Sequence, residues 1–377
     1  MLRCADCGRT YDHRWRCHCG GPLDFADPPL PEGPAPDPAA FDTRDGLWSF
    51  TDFLPVDREV SLGEGLTPLV DAPAWDAQFK LEYVFPTGSF KDRGATTTLS
   101  RAVALGADRV VEDSSGNAGA AIATYAARAG VPADIYVPAD AKPSKLRGIE
   151  RAGATAIRVA GDRQAVTDAC IVAVEGREDD EAVVGPDDAT GTDGETVYYA
   201  SHAWDPAFYA GTATMAYEIA LQRDWSVPDA VVCPLGHGTM FLGAYRGFRA
   251  LRDAGWTDEI PRLLGAQAEG YAPIAETLHP GEASATGDSN DLADGIQIRQ
   301  PARREQLLDA IDATDGDTIA LGSEAVETEL DRLHRAGFYT EPTCAVAPAA
   351  LREYRERGVL SSTDDVVVPL TGSGLKQ

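Results

Sequence analysis

The residue with the most suggestive chemistry is Lys91, which lies in the glycine-containing segment Pro86–Gly94 (PTGSFKDRG). Lysine is scarce here: the chain has five lysines, and the other 28 of its 33 basic residues are arginine. Arginine keeps its proton in proteins, whereas a partly desolvated lysine can become a nucleophilic amine. The segment therefore predicts either a reactive lysine or an ordinary loop lysine, and other parts of the chain must distinguish these.

Three further turns rich in small residues each follow an apolar, strand-like run. They are Ser114–Gly119 (SSGNAG), Pro234–Met240 (PLGHGTM) and Pro369–Lys376 (PLTGSGLK). The first two open a predicted helix, and a helix N-terminus presents backbone N–H groups to an anion. Glycines also let the backbone approach a phosphate closely, so the second turn predicts a phosphate site. Each turn alone is weak evidence, but four such segments in this order indicate a shared ligand site.

This order resembles the fold-type-II pyridoxal-5′-phosphate (PLP) enzymes, and among them the threonine synthase family most closely, from Ser61 to Lys376. The resemblance implies that Lys91 bonds covalently to the cofactor and that Asn117 contacts its ring hydroxyl. Thr371 would contact the pyridine nitrogen. A hydroxyl there, instead of a carboxylate, leaves the ring unprotonated and suited to elimination and replacement.

The resemblance also assigns the two remaining ligand contacts. The phosphate would bind at Gly236, His237, Gly238, Thr239 and Met240, and the substrate carboxylate at Ser114, Ser115 and Gly116. A dinucleotide site is the competing interpretation of the glycines. Their spacing does not support it, because the second turn and Gly243 give G-x-G-x-x-x-x-G instead of G-x-G-x-x-G.

Strands and helices alternate from Arg109 onward, which predicts α/β architecture with parallel, doubly wound sheets. The predicted strands are 109–112, 135–137, 156–159, 229–233, 262–266 and 364–368, and the predicted helices are 120–129, 144–152, 163–175, 212–223, 241–251 and 323–336, the last capped by Ser323. The resemblance implies two lobes with the cofactor between them. The catalytic region would be 46–377, with a small lobe of about 96–190 inserted in the large lobe. The acidic stretch 176–195 is predicted to be an exposed connection.

The N-terminus has its own signal, the pairs Cys4-x-x-Cys7 and Cys17-x-Cys19. Two close pairs of thiolates on short turns are typical of a tetrahedral zinc ribbon, here predicted over residues 1–27. A disulfide or redox role is the alternative, and His13 or His18 could replace a cysteine as ligand. A proline-rich linker is predicted at 28–45. The isolated Cys170, Cys233 and Cys344 are expected only to pack.

Composition limits the partners and the location. The formal net charge is −27, a balance that repels nucleic acid and anionic membranes. Abundant acidic residues with few lysines suggest adaptation to high salt, where the Debye length is only ~3 Å at 1 M. Neither a signal peptide nor an apolar run of membrane-spanning length is visible. We therefore expect a cytoplasmic protein. The resemblance implies a small amino-acid substrate, and we also expect a homodimer.

The resemblance implies conversion of O-phospho-L-homoserine and water to L-threonine and phosphate, with the Lys91 amine moving protons. One departure complicates this. The family has an arginine that helps bind the substrate phosphate, and a lysine nearby. At these two positions this chain has Phe208 and Ala213. Losing two charge-assisted contacts removes ~1.5–3 kcal/mol each. Lys145, together with Lys142 and Arg147, is the expected replacement.

The sequence leaves open one question about the site and two other functions. His202 and Trp204 could be ordinary core residues or parts of an altered substrate pocket. The enzyme could instead be a relative that performs β-elimination or β-replacement on serine-, threonine- or phosphoserine-type substrates, such as a dehydratase or a cysteate- or cysteine-forming synthase. A non-catalytic PLP-binding or zinc-ribbon protein is the third possibility.

Overall fold

The structure is a computed structural model that describes residues 1–161, 163–175, 195–281 and 289–376, without the side chains of Ser144 and Lys145. Its strands are β1 (Leu2–Cys4), β2 (Thr10–Tyr11), β3 (Leu23–Phe25), β4 (Leu69–Ala72), β5 (Ala77–Lys80), β6 (Arg109–Glu112), β7 (Ala133–Pro138), β8 (Thr155–Val159), β9 (Val197–Tyr199), β10 (Ala230–Pro234), β11 (Arg262–Ala268), β12 (Asp317–Leu321) and β13 (Val366–Pro369). Its α-helices are α1 (Lys91–Ala104), α2 (Asn117–Ala129), α3 (Pro143–Arg151), α4 (Arg163–Glu175), α5 (Pro206–Gln222), α6 (Thr239–Asp253), α7 (Pro273–Leu278), α8 (Arg304–Ala313), α9 (Ser323–Arg335) and α10 (Pro342–Glu356).

The chain divides into two compact units. Unit 1 comprises Met1–Pro29, Thr51–Glu64 and Lys91–Gly211, and unit 2 comprises Leu30–Phe50, Gly65–Phe90 and Thr212–Gln377. The six strands predicted from the sequence all form, and so do the six helices, with bounds that differ by a few residues. The predicted α/β class with parallel sheets is therefore confirmed. Most of the acidic stretch 176–195 lies outside the described residues.

Unit 1 contains a four-stranded parallel sheet in the order β8-β7-β6-β9. In β7 every second side chain is buried, as the two-residue period of a strand requires when one face meets a core. Val110, Ile122, Tyr125 and Ile135 lie in that core. Helix α2 ends where Gly130 adopts a left-handed φ of 72° and returns its N–H to the last turn.

The N-terminal residues of unit 1 form a small antiparallel sheet in the order β2-β1-β3. Its core is built from Leu2, Leu23, Cys4 and Cys17, all almost fully buried. So few apolar side chains bury too little surface to fold such a segment alone, which is why small folds of this size usually need a metal or disulfides.

Unit 2 contains a six-stranded sheet in the order β12-β11-β10-β13-β5-β4. Its strands are parallel except β4, which pairs antiparallel with β5 at the edge. Strands β10 and β13 are buried at every residue, as expected for apolar strands covered on both faces of a parallel sheet. Among the described residues no helix combines the length and apolarity that crossing a bilayer needs.

Two sequence predictions about helix starts were wrong. Ser323 does not cap α9: it is the first helical residue, and Gly322 occupies the cap position without a side-chain hydrogen bond. Helix α5 begins at Pro206, six residues before the predicted Thr212. Proline suits a first helical position, and the Asp205 carboxylate accepts the Ala207 N–H at 2.8 Å. Phe208 consequently lies in the first turn of α5.

Lys80 shows that one of the rare lysines has a structural role. It is fully buried, and its Nζ lies 2.8 Å from the Glu218 carboxylate and donates to the Thr67 carbonyl at 2.6 Å. We expect Lys80→Met to lower the free energy of unfolding by about 3–5 kcal/mol, because the Glu218 charge stays buried without its partner. Urea unfolding would measure this, with Lys142→Met, at an exposed lysine, as the control. A loss below about 1 kcal/mol would contradict it.

Candidate active site

Lys91 is the first residue of α1, and the segment before it is held by the C-terminal turn of unit 2. Phe90 donates its N–H to the Thr371 carbonyl at 3.0 Å, and Ser373 donates to the Gly88 carbonyl at 2.9 Å. Ser89 also bridges to Gly372 in an antiparallel arrangement. These bonds place Phe90, the residue before Lys91 in the chain, next to Thr371.

Within unit 1, Lys91 lies against an aromatic ring. Its Nζ is 5.8 Å from the centroid of Phe208, within the range of a cation–π contact. The same ring packs on Gly94, one turn further along α1, where any Cβ would overlap it. Phe208 is fully buried and Ala213 is 4% exposed. The two positions expected to carry cations in the family therefore hold buried apolar side chains here.

The turn Ser114–Gly119 connects β6 to α2, and Asn117 is the first residue of that helix. Ser114 is buried, and its Oγ accepts the Gly116 N–H at 3.2 Å. A Cβ on Gly119 would overlap the Ser114 carbonyl, so only glycine allows this close return of the chain. The N-cap residue of α2 is Gly116, which has no side chain that could cap the helix. Its first N–H groups and its dipole therefore suit a carboxylate.

The turn Gly236–Met240 connects β10 to α6 in unit 2. Gly238 is the N-cap of this 15-residue helix, with a left-handed φ of 81° and no side-chain cap. A Cβ on Gly236 would lie 3.1 Å from the Ile296 Cα, so this part of the turn also leaves no room for a side chain. Backbone N–H groups at an uncapped helix N-terminus match a phosphate, so these residues fit the PLP phosphate.

Thr371 is buried in unit 2 beside a cysteine that the sequence assigned only to packing. Its Oγ1 lies 3.2 Å from the Cys344 Sγ, which also donates to the Gly372 carbonyl at 3.1 Å. Burial, and then the charge of Glu341, raise the pKa of the Cys344 thiol to about 12. The thiol is thus neutral near pH 7. Thr371 fits an unprotonated pyridine nitrogen, because its hydroxyl can donate a hydrogen bond.

A polar cluster in unit 1 was not predicted as a unit. The Glu112 carboxyl, at the end of β6, lies 2.6 Å from the His202 Nδ1, and both side chains are buried. Asp113 is adjacent and accepts hydrogen bonds from Tyr199 at 3.0 Å and Thr167 at 2.6 Å. His202 therefore belongs to a buried polar network, and it is not a purely apolar core residue. The sequence signal was two acidic residues directly after a buried strand.

The cations expected to replace the family's phosphate ligands lie on or beside α3. Lys142 and Arg147 are exposed, and Lys145 lies in the first turn of that helix. The side chain of Lys145 is outside the described part of the structure. Pro143 begins the helix, and its N-cap residue Lys142 provides no side-chain cap. This end of α3 therefore carries positive potential from its dipole as well as from its side chains.

The four N-terminal cysteines come together as the sequence predicted. Their Sγ atoms all lie within 4.8 Å of one another, with 3.6 Å between Cys4 and Cys19 and 3.4 Å between Cys7 and Cys17. A tetrahedron of zinc–sulfur bonds of ~2.3 Å has edges of about 3.8 Å, so this cluster fits zinc. All four are free thiols. His13 and His18 are not members of the cluster.

The cysteine-bearing segment packs on the sheet of unit 1 through aromatic side chains. His13 stacks on Tyr198 with ring centroids 5.3 Å apart, and Trp15 meets Tyr199 and Trp204 edge-on at 5.3 and 5.4 Å. The Trp15 indole also donates to Glu175 at 3.0 Å. Burial lowers the pKa of His13 to about 4, and the charge of Arg101 adds to this effect. His13 is therefore neutral near pH 7, as its stacking suggests.

The chain is similar to known proteins over most of its length. Residues 60–372 match the family described as pyridoxal-phosphate dependent enzyme. The threonine synthase of Methanocaldococcus jannaschii is 30% identical over 394 aligned positions, which cover 100% of this chain and 93% of that protein. The threonine synthase of Methanosarcina acetivorans is 33% identical over 344 positions, covering 88% of this chain and 80% of that protein.

Solved structures show the same fold at lower identity. Maize serine racemase superimposes with a TM-score of 0.65 at 19% identity, covering 82% of this chain and 88% of that one. The processed form of threonine deaminase isoform 2 from Solanum lycopersicum gives 0.63 at 19% identity, covering 82% and 84%. These likenesses support the fold alone. The family match and the two threonine synthase matches establish that the chain is a PLP-dependent lyase belonging to the threonine synthase family.

Proposed function

We propose that the protein converts O-phospho-L-homoserine and water to L-threonine and phosphate. The full-length similarity to two archaeal threonine synthases supports this substrate. The structural observation that carries the proposal is the Phe90–Thr371 hydrogen bond, because it holds the segment ending at Phe90, the residue before Lys91 in the chain, beside the residue proposed for the pyridine nitrogen. Phosphate and threonine release measured together with O-phospho-L-homoserine test it.

Each proposed residue has one task. When bound, PLP supplies an electron sink that acidifies the carbon positions next to the substrate amine. The turn Gly236–Met240 would hold its phosphate, Asn117 its ring hydroxyl and Thr371 its ring nitrogen. Ser114–Gly116 would hold the substrate carboxylate at the start of α2. The Lys91 amine would remove one proton from the substrate Cα and one from Cβ, and phosphate would leave from Cγ. Water would then add at Cβ, and protons would return to Cγ and Cα.

A second function is favoured by one specific observation. Phe208 and Ala213 are buried apolar residues where the family is expected to carry cations. A pocket without those cations suits a substrate that lacks a phosphate, so elimination on L-serine or L-threonine is the second candidate. Keto-acid formation from these amino acids, without threonine formation from O-phospho-L-homoserine, would select it over the first.

If the γ-phosphate is bound, Lys145 is the proposed cation. Lys145→Gln should then raise KM for O-phospho-L-homoserine roughly 10- to 150-fold, the loss of one charged hydrogen bond of ~1.5–3 kcal/mol. Arg151→Gln, at an exposed position of the same helix away from its N-terminus, is the matched control and should leave KM unchanged. Equal effects of the two variants would assign the helix only a general electrostatic role.

We also propose that Cys4, Cys7, Cys17 and Cys19 bind one structural zinc ion. Four thiolates fill a tetrahedral site completely, so the metal would stabilise the segment and take no part in the reaction. A homodimer, a cytoplasmic location and adaptation to high salt remain predictions. Analytical ultracentrifugation would check the first, and thermal unfolding as a function of potassium chloride concentration the third.

A further inference from the structure

The buried Glu112–His202 pair has no part in the tasks assigned above. The Glu112 Oε1 lies 2.6 Å from the His202 Nδ1, and its Oε2 accepts the His202 backbone N–H at 3.3 Å. Both side chains are buried, with Glu112 fully so and His202 5% exposed. A carboxyl that is hydrogen-bonded to both the ring and the backbone N–H of a histidine holds that imidazole in one orientation.

Several charged or titratable groups face this pair. Asp113 is the nearest anion, and Lys91 and Arg163 are the cations whose charges act on Glu112. The Tyr199 hydroxyl and the Cys170 thiol are close by, and both are kept neutral near pH 7 because burial raises each pKa. Burial first, and then Asp113, raise the pKa of Glu112 well above its ordinary value. One proton is therefore retained by Glu112 and His202 together.

Phe208 connects this pair to Lys91. The His202 ring lies 6.1 Å from the Phe208 ring, and the Lys91 Nζ lies 5.8 Å from the same ring. The imidazole and the amine are thus neighbours of one buried aromatic side chain. His202 is buried and Lys91 is half-buried, so solvent screens the charge of one group from the other only in part.

We propose that Glu112 and His202 are a positioning pair for Lys91, whose shared proton determines when the Lys91 amine loses its own. While the pair keeps its proton it is neutral overall. When the pair loses that proton it carries one negative charge, which stabilises the ammonium form of Lys91. The pair thereby sets the pH range in which Lys91 can act as a base. The functional meaning of this coupling rests on the proposed role of Lys91.

The scarcity of lysine makes the coupling directly measurable. The full-length chain freed of cofactor is reductively methylated with ¹³C-formaldehyde, and its few dimethyl-lysine signals are followed by NMR against pH. The Lys91 signal is the one missing from Lys91→Met. Glu112→Gln removes the negative charge but keeps a hydrogen-bonding partner for His202. In this variant the midpoint of the Lys91 titration should fall by about one pH unit, the size of effect expected from one opposite charge nearby. Asp134→Asn removes a carboxylate that pairs with Arg109 and should leave the midpoint unchanged.

The reciprocal measurement does not depend on Glu112→Gln folding. Coupling between two sites is symmetric, so Lys91→Met should move the His202 titration to higher pH by the same amount. The imidazole signal is assigned as the one lost in His202→Asn. In the holoenzyme, Glu112→Gln should move the ascending limb of the kcat–pH profile to lower pH, because the amine is free at lower pH.

The results separate this inference from the proposed function. Unchanged midpoints of Lys91 in Glu112→Gln and of His202 in Lys91→Met would overturn the inference. If Glu112→Gln does not fold, the measurement on Lys91→Met is sufficient: an unchanged His202 midpoint in that variant would overturn the inference. Borohydride trapping of the wild-type holoenzyme reports independently which lysine carries the cofactor. Coupling together with a cofactor on another lysine would leave the pair intact and refute the proposed function.

Discussion

Replacing Lys91 with alanine is expected to abolish turnover while leaving the fold intact. The residue begins α1, and its amine lies over the Phe208 ring. Alanine is a good helix former and should preserve the backbone at this position. Loss of the proton-carrying amine alone should lower kcat by at least about 10²–10⁴-fold, and loss of the covalent attachment should lower it further. Steady-state assays and circular dichroism of the same preparation would measure the two expectations.

The position of the covalent bond is a separate measurement. The wild-type protein should be yellow, lose its visible absorbance on borohydride reduction and yield a mass adduct on the peptide containing Lys91. Lys80 is the control, since it is fully buried and is paired with Glu218. An adduct on Lys80 or Lys376, or no adduct at all, would refute the assignment of Lys91.

Loss of the cysteine cluster is expected to have the second largest effect. Cys4→Ser combined with Cys7→Ser should lower bound zinc from about one equivalent to near zero. Structural zinc contributes an apparent binding free energy of about 10–16 kcal/mol in zinc-finger peptides, and most of it is folding free energy. The core of this segment is only Leu2, Leu23 and two of the cysteines, so we expect the segment to unfold. Metal analysis and the exchange of backbone amides in β1 and β3 would show it.

This unfolding should also be visible beyond the cysteines. Trp15 packs on Tyr199 and Trp204, so its fluorescence should move to longer wavelength when the segment detaches. Cys170→Ala is the matched control, because Cys170 belongs to the same hydrophobic cluster as Trp15 and lies outside the metal cluster. It should keep its zinc. Full zinc content in the double serine variant would show that other ligands bind the metal.

Much of this protein could be predicted from local pattern. The alternation of strands and helices, the turns that begin α2 and α6, and the cysteine pairs are all short-range features. Each depends on residues within about ten positions, because backbone conformation at a glycine turn or a helix start is set mostly by immediate neighbours. Lys91 could be proposed as the reactive lysine for the same reason: its segment is short and its residue type is rare in this chain.

The helix boundaries show where local pattern was insufficient. Ser323 has the right residue type for a cap, yet Gly322 occupies that position. Helix α5 starts at Pro206 because the Asp205 carboxylate accepts the Ala207 N–H, and no apolar period in those residues indicates this start. A boundary is a choice between nearly equal alternatives, so a single hydrogen bond can decide it.

The tertiary structure alone determined which residues distant in the sequence pair inside each unit. Glu112 and His202 are 90 positions apart, and Cys344 and Thr371 are 27 apart. Gly94 meets Phe208 only because α1 and the start of α5 pack together in unit 1. Contacts between residues so far apart in the sequence depend on how whole helices and strands bury their apolar faces. The spacing of residues along the sequence does not predict this packing. The local segments therefore identified the family chemistry, while packing determined the buried polar groups that surround it.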